Sequence, residues 1–519
     1  MGEEILRMEN ITKIYPNGVM ANKDVTFSVQ KGEIHALMGE NGAGKSTLMK
    51  ILFGFESKDS GEIYFEGKKL ETSSPSETIK QGIGMVHQHF MLVDSLKVYE
   101  NIVLGMEPRK GPFTDGKKAS QMVAEMAKKY NLNVDPEAKV ETLSVGLKQK
   151  VEILKVLARG AKLLILDEPT AVLTPQETEE LFEQLLLLKQ HGHTIIFISH
   201  KIKEVRQICD NITVLRGGRT IGSMPVEGST EEEISRFMVG RDVVLNVQKS
   251  APAFGEKLLE VKHLNYWDDE RRQKLKDVSF DLHRGQILGV AGVEGNGQNE
   301  LAECIFGLRK PGSGQALLNG KDLVPLGVKD IRSSGASYIP EDRISTGVAG
   351  SLSIWENLMS DRIDKPEFRR GGLLNLRQIR EKCAQLIDSF TILCRNGDQT
   401  VSMLSGGNMQ KVVVAREFSA DPDLLIANQP TRGIDVGANE FIWKKLVALR
   451  DQGRGILLIS ADLNEVLELS DSILVMCDGE VAAYFPDSKA VTERELGLYM
   501  LGVKKQTVEE RGALYEAAQ

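Results

Sequence analysis

The sequence predicts an α/β chain made of two successive copies of one domain, each a parallel sheet with helices on both faces and a phosphate-holding loop at a strand end. Three observations predict it. The segment KDVTFSVQKGEIHALMGENGAGKSTL at 23–48 returns as KDVSFDLHRGQILGVAGVEGNGQNEL at 276–301. In both copies short β-rich runs pass through a glycine loop into a helix. Apolar strands then alternate with helical stretches, the order that gives a parallel rather than an antiparallel sheet.

Taken along the first copy, ITKIY, VTFSV and EIHALMG read as strands, and a helix starts near Lys45. A helix-rich middle occupies roughly 95–160. The buried strand KLLILDE follows, then a helix from about Pro175, then the strand HTIIFISH. Two more segments repeat: SKDSGEIYFEGKKL (57–70) as KPGSGQALLNGKDL (310–323), and ISHKIKEVRQICDNITVLRGGR (198–219) as ISADLNEVLELSDSILVMCDGE (459–480). Early segments are displaced by 253 positions (45 to 298) and late ones by 261 (167 to 428), so about eight residues are inserted in the second copy. The basic, glycine-containing stretch DKPEFRRGGLLNLR (364–377) is the expected insertion. A polar linker is expected at 240–257, with one domain over 1–245, a second over 256–505 and a tail at 506–519.

At 519 residues the chain exceeds one compact core. Hydrophobic residues at 41% and charged residues at 27% are an ordinary globular balance. The net charge of −8 gives no global pull toward nucleic acid. Cys209, Cys304, Cys383, Cys394 and Cys477 lack CxxC spacing and read as buried reduced thiols rather than a metal site. The opening MGEEILRMEN has no apolar segment of a signal peptide, and no apolar run approaches 18 residues. A membrane role is therefore expected only through a partner.

The pattern GxxxxGK[ST] spans Gly39 to Ser46 between a strand and a helix. Its glycines let backbone N–H groups converge on phosphate oxygens, and the helix start adds positive potential. Lys45 suits the β- and γ-phosphates, and Ser46 suits Mg²⁺. In LLILDEP, Asp167 and Glu168 end an apolar strand, where ligands sit in parallel sheets. Asp167 would support Mg²⁺ and Glu168 would polarise an attacking water. His200 closes the next apolar strand and precedes a helix. Tyr15 offers either an aromatic face to a purine or a packing ring.

With these residues in place, the phosphate loop, VHQHFMLV, the LSVG and LSGGN segments, LLILDEP and the strand-end histidine resemble the nucleotide-binding domain of ABC ATPases, twice over nearly the whole chain. The tandem arrangement is similar to ATP-binding subunits of the simple-sugar class of ABC importers. VHQHFMLV, LSVG, DEPTAVLTPQE and RFMVGRDV look like its nucleoside-uptake branch. The resemblance implies a RecA-like core, an antiparallel β subdomain and a helical subdomain in each half. It implies that Gly39, Glu40, Asn41, Gly42, Ala43, Gly44, Lys45, Ser46 and Thr47 hold ATP with Tyr15, and that Gln88 serves both Mg²⁺ and catalysis. It further implies two halves closing face to face, the loop of one meeting the LSGGQ-type segment of the other, here Ser405, Gly406 and Gly407.

The copies differ at the reacting positions. Lys45, Ser46, Asp167, Glu168, His200 and Gln88 become Gln298, Asn299, Asn428, Gln429, Ala461 and Glu341. The signature segment reverses the trend: the second copy keeps LSGGN at 404–408, whereas the first has LSVGL at 143–147, with Val145 where backbone should approach phosphate. Paired head to tail, the losses segregate into one complete site and one spoiled site, whereas independent decay would scatter them. The expected function is an ATPase that energises import of nucleosides or simple sugars, peripheral on the cytoplasmic membrane face. Its expected partners are two membrane permeases and, through them, a solute-binding protein. No nucleic acid is expected. Segments 89–93 and 342–347 are candidate permease contacts. The alternative is a tandem ABC translation factor, which would usually retain both catalytic sites and carry a longer charged arm.

Overall fold

The structure, a computed structural model, describes the chain except residues 1–2, 17–18, 40–41, 72–73, 88–89, 172, 200, 240–248, 253, 371–372, 435 and 518–519. It divides into two compact units, Met1–Val243 and Val244–Gln519.

In the first unit a six-stranded sheet runs Arg219–Pro225, Asn211–Arg216, Ile34–Met38, Thr194–Ile198, Leu163–Asp167, Ile83–Val86. All neighbours are parallel except the edge pair Asn211–Arg216 with Arg219–Pro225. Every residue of Ile34–Met38 and Thr194–Ile198 is buried, and all but His35 and Thr194 are apolar, as a sheet covered on both faces requires. Ile198 pairs with Leu37 on one side and Asp167 on the other, so three carboxyl ends finish level. That alignment places the glycine loop beside Asp167 and Glu168.

A four-stranded antiparallel sheet, in the order Met20–Gln30, Glu4–Ile14, Ser60–Phe65, Lys68–Lys69, shares a core with the helix Lys45–Phe53. Leu6, Met8, Ile11 and Phe27 pack there with Leu48, Ile51 and Leu52. The helices Val98–Val103, Gly116–Lys129 and Val145–Ala158 form the helical part. The helix start at Lys45 and the start at Pro175 fall where the sequence puts them. Core, β subdomain and helical subdomain match the expected division.

The second unit repeats the plan. Its six-stranded sheet runs Ala336–Ile339, Leu424–Asn428, Gly455–Ile459, Ile287–Ala291, Ser472–Cys477, Glu480–Phe485. Gln273–His283, Lys257–Trp267, Ser313–Leu318 and Lys321–Asp322 form the antiparallel sheet. The expectation of one insertion at 364–377 is corrected. The hairpin in that stretch, Arg369–Arg370 with Leu373–Leu374, has a counterpart in the first unit, Arg109–Lys110 with Phe113–Thr114. The displacement grows in steps: 83 to 336 at the strands, 98 to 354 at the next helices, 109 to 369 at the hairpins, 140 to 401 at the following turns. The added residues lie around the π-helical turn Arg343–Gly347, around the turn Pro366–Phe368, and once more before Val401. Charge and glycine content marked the hairpin; neither marks a length change.

Cys209, Cys304 and Cys383 are buried as expected, whereas Cys394 and Cys477 are only half-buried; all five are free thiols. Residues Val508–Ala517 form a helix, and Leu514 packs on the core of the second unit.

Candidate nucleotide site

The loop leaving Ile34–Met38 is forced into glycine conformations. Gly39, Gly42 and Gly44 have φ of +146°, +82° and +99°. A β-carbon on Gly39 would sit 2.2 Å from Leu215 O, and one on Gly44 would sit 2.4 Å from Ala21 O. The neighbouring strand and turn therefore press the loop into shape, and no larger residue fits at either position.

Lys45 is 5% exposed and folds back over this loop, its Nζ donating to Gly39 O at 2.6 Å. Ala43 is buried, and its carbonyl accepts from the Gly218 N–H. Asn22, fully buried, donates to Gly44 O at 3.2 Å and ties the loop to the antiparallel sheet. Thr47 lies 3.4 Å from the Tyr15 hydroxyl, so Tyr15 stands half-buried against the first turn of the helix.

Asp167 and Glu168 end the strand Leu163–Asp167. Burial and the Glu168 charge raise the Asp167 carboxyl above its usual range, opposed by a hydrogen bond from Ser46 and the Lys45 charge. Glu168 has φ of +47°, a strained conformation for a non-glycine residue, costing on the order of 1–3 kcal/mol, and its N–H donates to Ile198 O. The oxygen donors Ser46 and Asp167, beside a second carboxylate, fit a hard divalent cation. Among the described residues no cluster of three or more His, Cys, Asp or Glu side chains could hold a metal. Mg²⁺ shared with phosphate oxygens and water needs only one or two protein carboxylates. Glu40, Asn41, Gln88 and His200 lie outside the described residues.

The second unit keeps the backbone and replaces the chemistry. Gly295 and Gly297 have φ of +92° and +99°, and Gln429 has φ of +53°, close to Glu168. A β-carbon on Gly297 would sit 2.7 Å from Lys274 O. Gly292 and Gly297 of GVEGNGQNEL are thus crowded by Met476 O and Lys274 O, whereas Gly295 has open space and is favoured by its φ of +92°. The amides that replace the charged groups bond to one another: Asn428 donates to Asn299 Oδ1 at 2.8 Å, Asn299 donates to Glu341, and Glu341 pairs with Arg432. Gln298 donates to Val293 O at 3.1 Å, and Gln429 Oε1 accepts from the Ala461 N–H at 3.2 Å.

Ser405 and Ser144 are the N-caps of the helices Gly406–Phe418 and Val145–Ala158. Gly406 and Gly407 open the first of these, with the Arg343 guanidinium against Gly406. Sequence reasoning missed Arg432 and Glu177 and took Arg343 only as part of the candidate permease contact 342–347; all three act through contacts far apart in sequence. Only the Thr174–Glu177 capping spacing left a local trace.

Two glycine loops, each turning from a buried parallel strand into a helix, with lysine, serine and a strand-end carboxylate pair around one of them, define a tandem phosphate-loop nucleotide-binding protein. The pattern of the ABC transporter domain matches residues 22–171 and 275–432. Three relatives align along nearly all of both chains. The guanosine import ATP-binding protein NupO of Bacillus subtilis is 44% identical, with 96% of this chain and 98% of that one covered. The nucleoside import ATP-binding protein NupA of Lactococcus lactis is 43% identical, at 96% and 98%. The glucose import ATP-binding protein TsgD13 of Haloferax volcanii is 43% identical, at 96% of each. The chain belongs to the ABC transporter family.

Proposed function

We propose that this chain is the ATP-hydrolysing subunit of an importer for nucleosides, with one hydrolytic site and one degenerate site. The observation that carries it is the split just described: Lys45, Ser46, Asp167 and Glu168 around one glycine loop, against a hydrogen-bonded amide network around the other. Lys45 leaves the Gly39 carbonyl for the β- and γ-phosphates of ATP. Ser46 and Asp167, with Gln88 by resemblance to the family, would hold Mg²⁺, which would supply charge neutralisation for the phosphates. Glu168 accepts the proton of the attacking water, and the resemblance gives His200 a part in catalysis. Tyr15 carries the purine. Ser405 and the amides at 406 and 407 complete this site, a pairing that rests on the segregation of losses in the sequence. Relatives along the full length are import ATP-binding proteins, so the ribosomal alternative is set aside.

Among the described residues no helix is long and apolar enough to cross a membrane, so permeases carry the solute and hold this subunit at the cytoplasmic face. In the first unit a cavity of about 300 Å³, lined by Phe53, Phe55, His87, Met91, Lys155 and Val156, receives one permease segment. Phe55 is 51% and Met91 61% exposed, which suits an apolar helix, and Lys155 is already paired with Glu152 at 2.8 Å. Ile79 also lines this cavity; in the second unit Arg332 stands in place of Ile79 and Glu417 in place of Val156, paired at 2.9 Å. Two such unlike faces suit two different permeases, each passing solute on from a shared solute-binding protein. Nucleoside is favoured over sugar by VHQHFMLV and LSVG. Uptake of a labelled nucleoside by the assembled transporter tests it: free nucleosides should compete and ribose or galactose should not, and the opposite pattern refutes the nucleoside assignment.

A further inference from the structure

We infer, resting on the functional reading above, that Glu177 decides which of the two signature helices accepts a γ-phosphate, because its carboxylate already occupies the helix Val145–Ala158. The Gly146 N–H donates to Glu177 Oε1 at 3.2 Å. The approach is tight: a β-carbon on Gly146 would lie 2.5 Å from that oxygen. The other carboxylate oxygen accepts from the Thr174 N–H at 3.1 Å and lies 3.2 Å from its hydroxyl, the capping box that opens the helix Pro175–Gln190. One oxygen is enough for that cap. The second is spent on the neighbouring helix, where it satisfies an amide and sets a negative charge at a positive helix end. Ser144 and Ser405 do not distinguish the helices, since each caps its own: Ser144 Oγ accepts from the Leu147 N–H at 3.3 Å and Ser405 Oγ from the Asn408 N–H at 3.4 Å. Lys150, on the wall of the same cavity of about 200 Å³, is engaged by Glu180 at 2.8 Å.

The second unit has the opposite charge at this place. The helices Pro175–Gln190 and Val436–Asp451 correspond residue for residue, and the third position is Ala438 instead of glutamate. Arg343 lies one position earlier on the corresponding helix, against Gly406, the counterpart of Val145: a β-carbon on Gly406 would sit 2.6 Å from its Nη2, and its Nη1 donates to Arg432 O at 2.6 Å. Among the described residues Arg343 makes no ion pair. The Asp342 carboxylate beside it is taken up by the Ile344 and Ser345 amides and the Ser345 hydroxyl. One signature helix therefore carries a carboxylate on its first turn, whereas among the described residues the other has the Arg343 guanidinium beside its first glycine.

Moving the carboxylate tests this. In the full-length chain, Ala438→Glu should lower ATPase turnover at least tenfold, with ATP affinity of the open state within about twofold of wild type, because the Lys45 loop is untouched. Ala438→Gln has the same size without the charge and should keep at least half of the rate; equal rates in the two variants overturn the inference. Since Ala438 is buried and a longer side chain there can unfold the unit, a second measurement is made at the other end. Glu177→Gln keeps the capping oxygen and removes the charge, so in a Glu168→Gln background that also carries Gln298→Lys, Asn299→Ser and Asn428→Asp, nucleotide retained per chain should exceed that of the same chain with Glu177; equal values overturn the inference. Ser405→Arg separates the two levels. If that variant hydrolyses ATP at the wild-type rate, the phosphate role of the helix Gly406–Phe418 is wrong. If it is silent while Ala438→Glu and Ala438→Gln behave alike, only the role of Glu177 fails.

Discussion

Replacing Glu465 by glutamine should stabilise the second unit at alkaline pH and leave it unchanged in acid. Glu465 is fully buried on the helix Leu463–Leu469, where its Oε1 accepts from the Trp443 indole at 2.8 Å and from Thr431 at 2.9 Å. Burial, with Asp462 adding to it, pushes its carboxyl up to about 7. The counterpart in the first unit, Glu204, has Lys201 at 2.9 Å, and Asp462 stands where that lysine would be. An unfolded chain releases this proton near 4.5, the folded chain near 7. Between those values the folded state holds more protons, so stability falls as pH rises; the cost is absent below 4.5 and complete above 7. At about 1.36 kcal/mol per pKa unit the full cost is about 3 kcal/mol. Glutamine keeps the acceptor for Trp443 and Thr431 and removes the ionisation. Thermal unfolding should show a gain of roughly 6–12 °C at pH 8, at roughly 2–4 °C per kcal/mol for a large domain, and almost none at pH 4.5. A gain equal at both pH values, or none at pH 8, refutes the reasoning.

Glu168→Gln should remove steady-state ATPase by a factor of about 10²–10⁴ while ATP is still retained, as turnover and filter-retention assays on one preparation will show. Gln429→Glu should leave single-turnover stoichiometry near one ATP per chain, because Gln298, Asn299 and Asn428 still stand where the phosphate and metal ligands would be; two hydrolysed nucleotides per chain would count against it. Ser405→Arg should nearly abolish turnover and Ser144→Arg should cost much less, with initial-rate assays of both deciding; the reverse order would dissolve the pairing of Ser405 with the Lys45 site.

What the sequence by itself determined is local or periodic. The duplication, the glycine loop opening a helix at Lys45, the strand closing on Asp167 and Glu168, and the loss of charge at 298, 299, 428 and 429 are all read within short windows. Phosphate loops are legible because backbone conformation demands glycine and phosphate demands a cation a fixed number of residues away. Tertiary structure decided the rest. It brought Ile198 between Leu37 and Asp167, which levels the strand ends that build the site. It split the extra length of the second unit into separate turns, where equal length had been assumed up to one charged stretch. It set Glu177 on Gly146 across 31 residues and Arg343 against Gly406 across 63. Such contacts leave no periodic trace, since a carboxylate capping its own helix and one that also closes a neighbour have the same sequence. Only the packing of two helix starts side by side separates them.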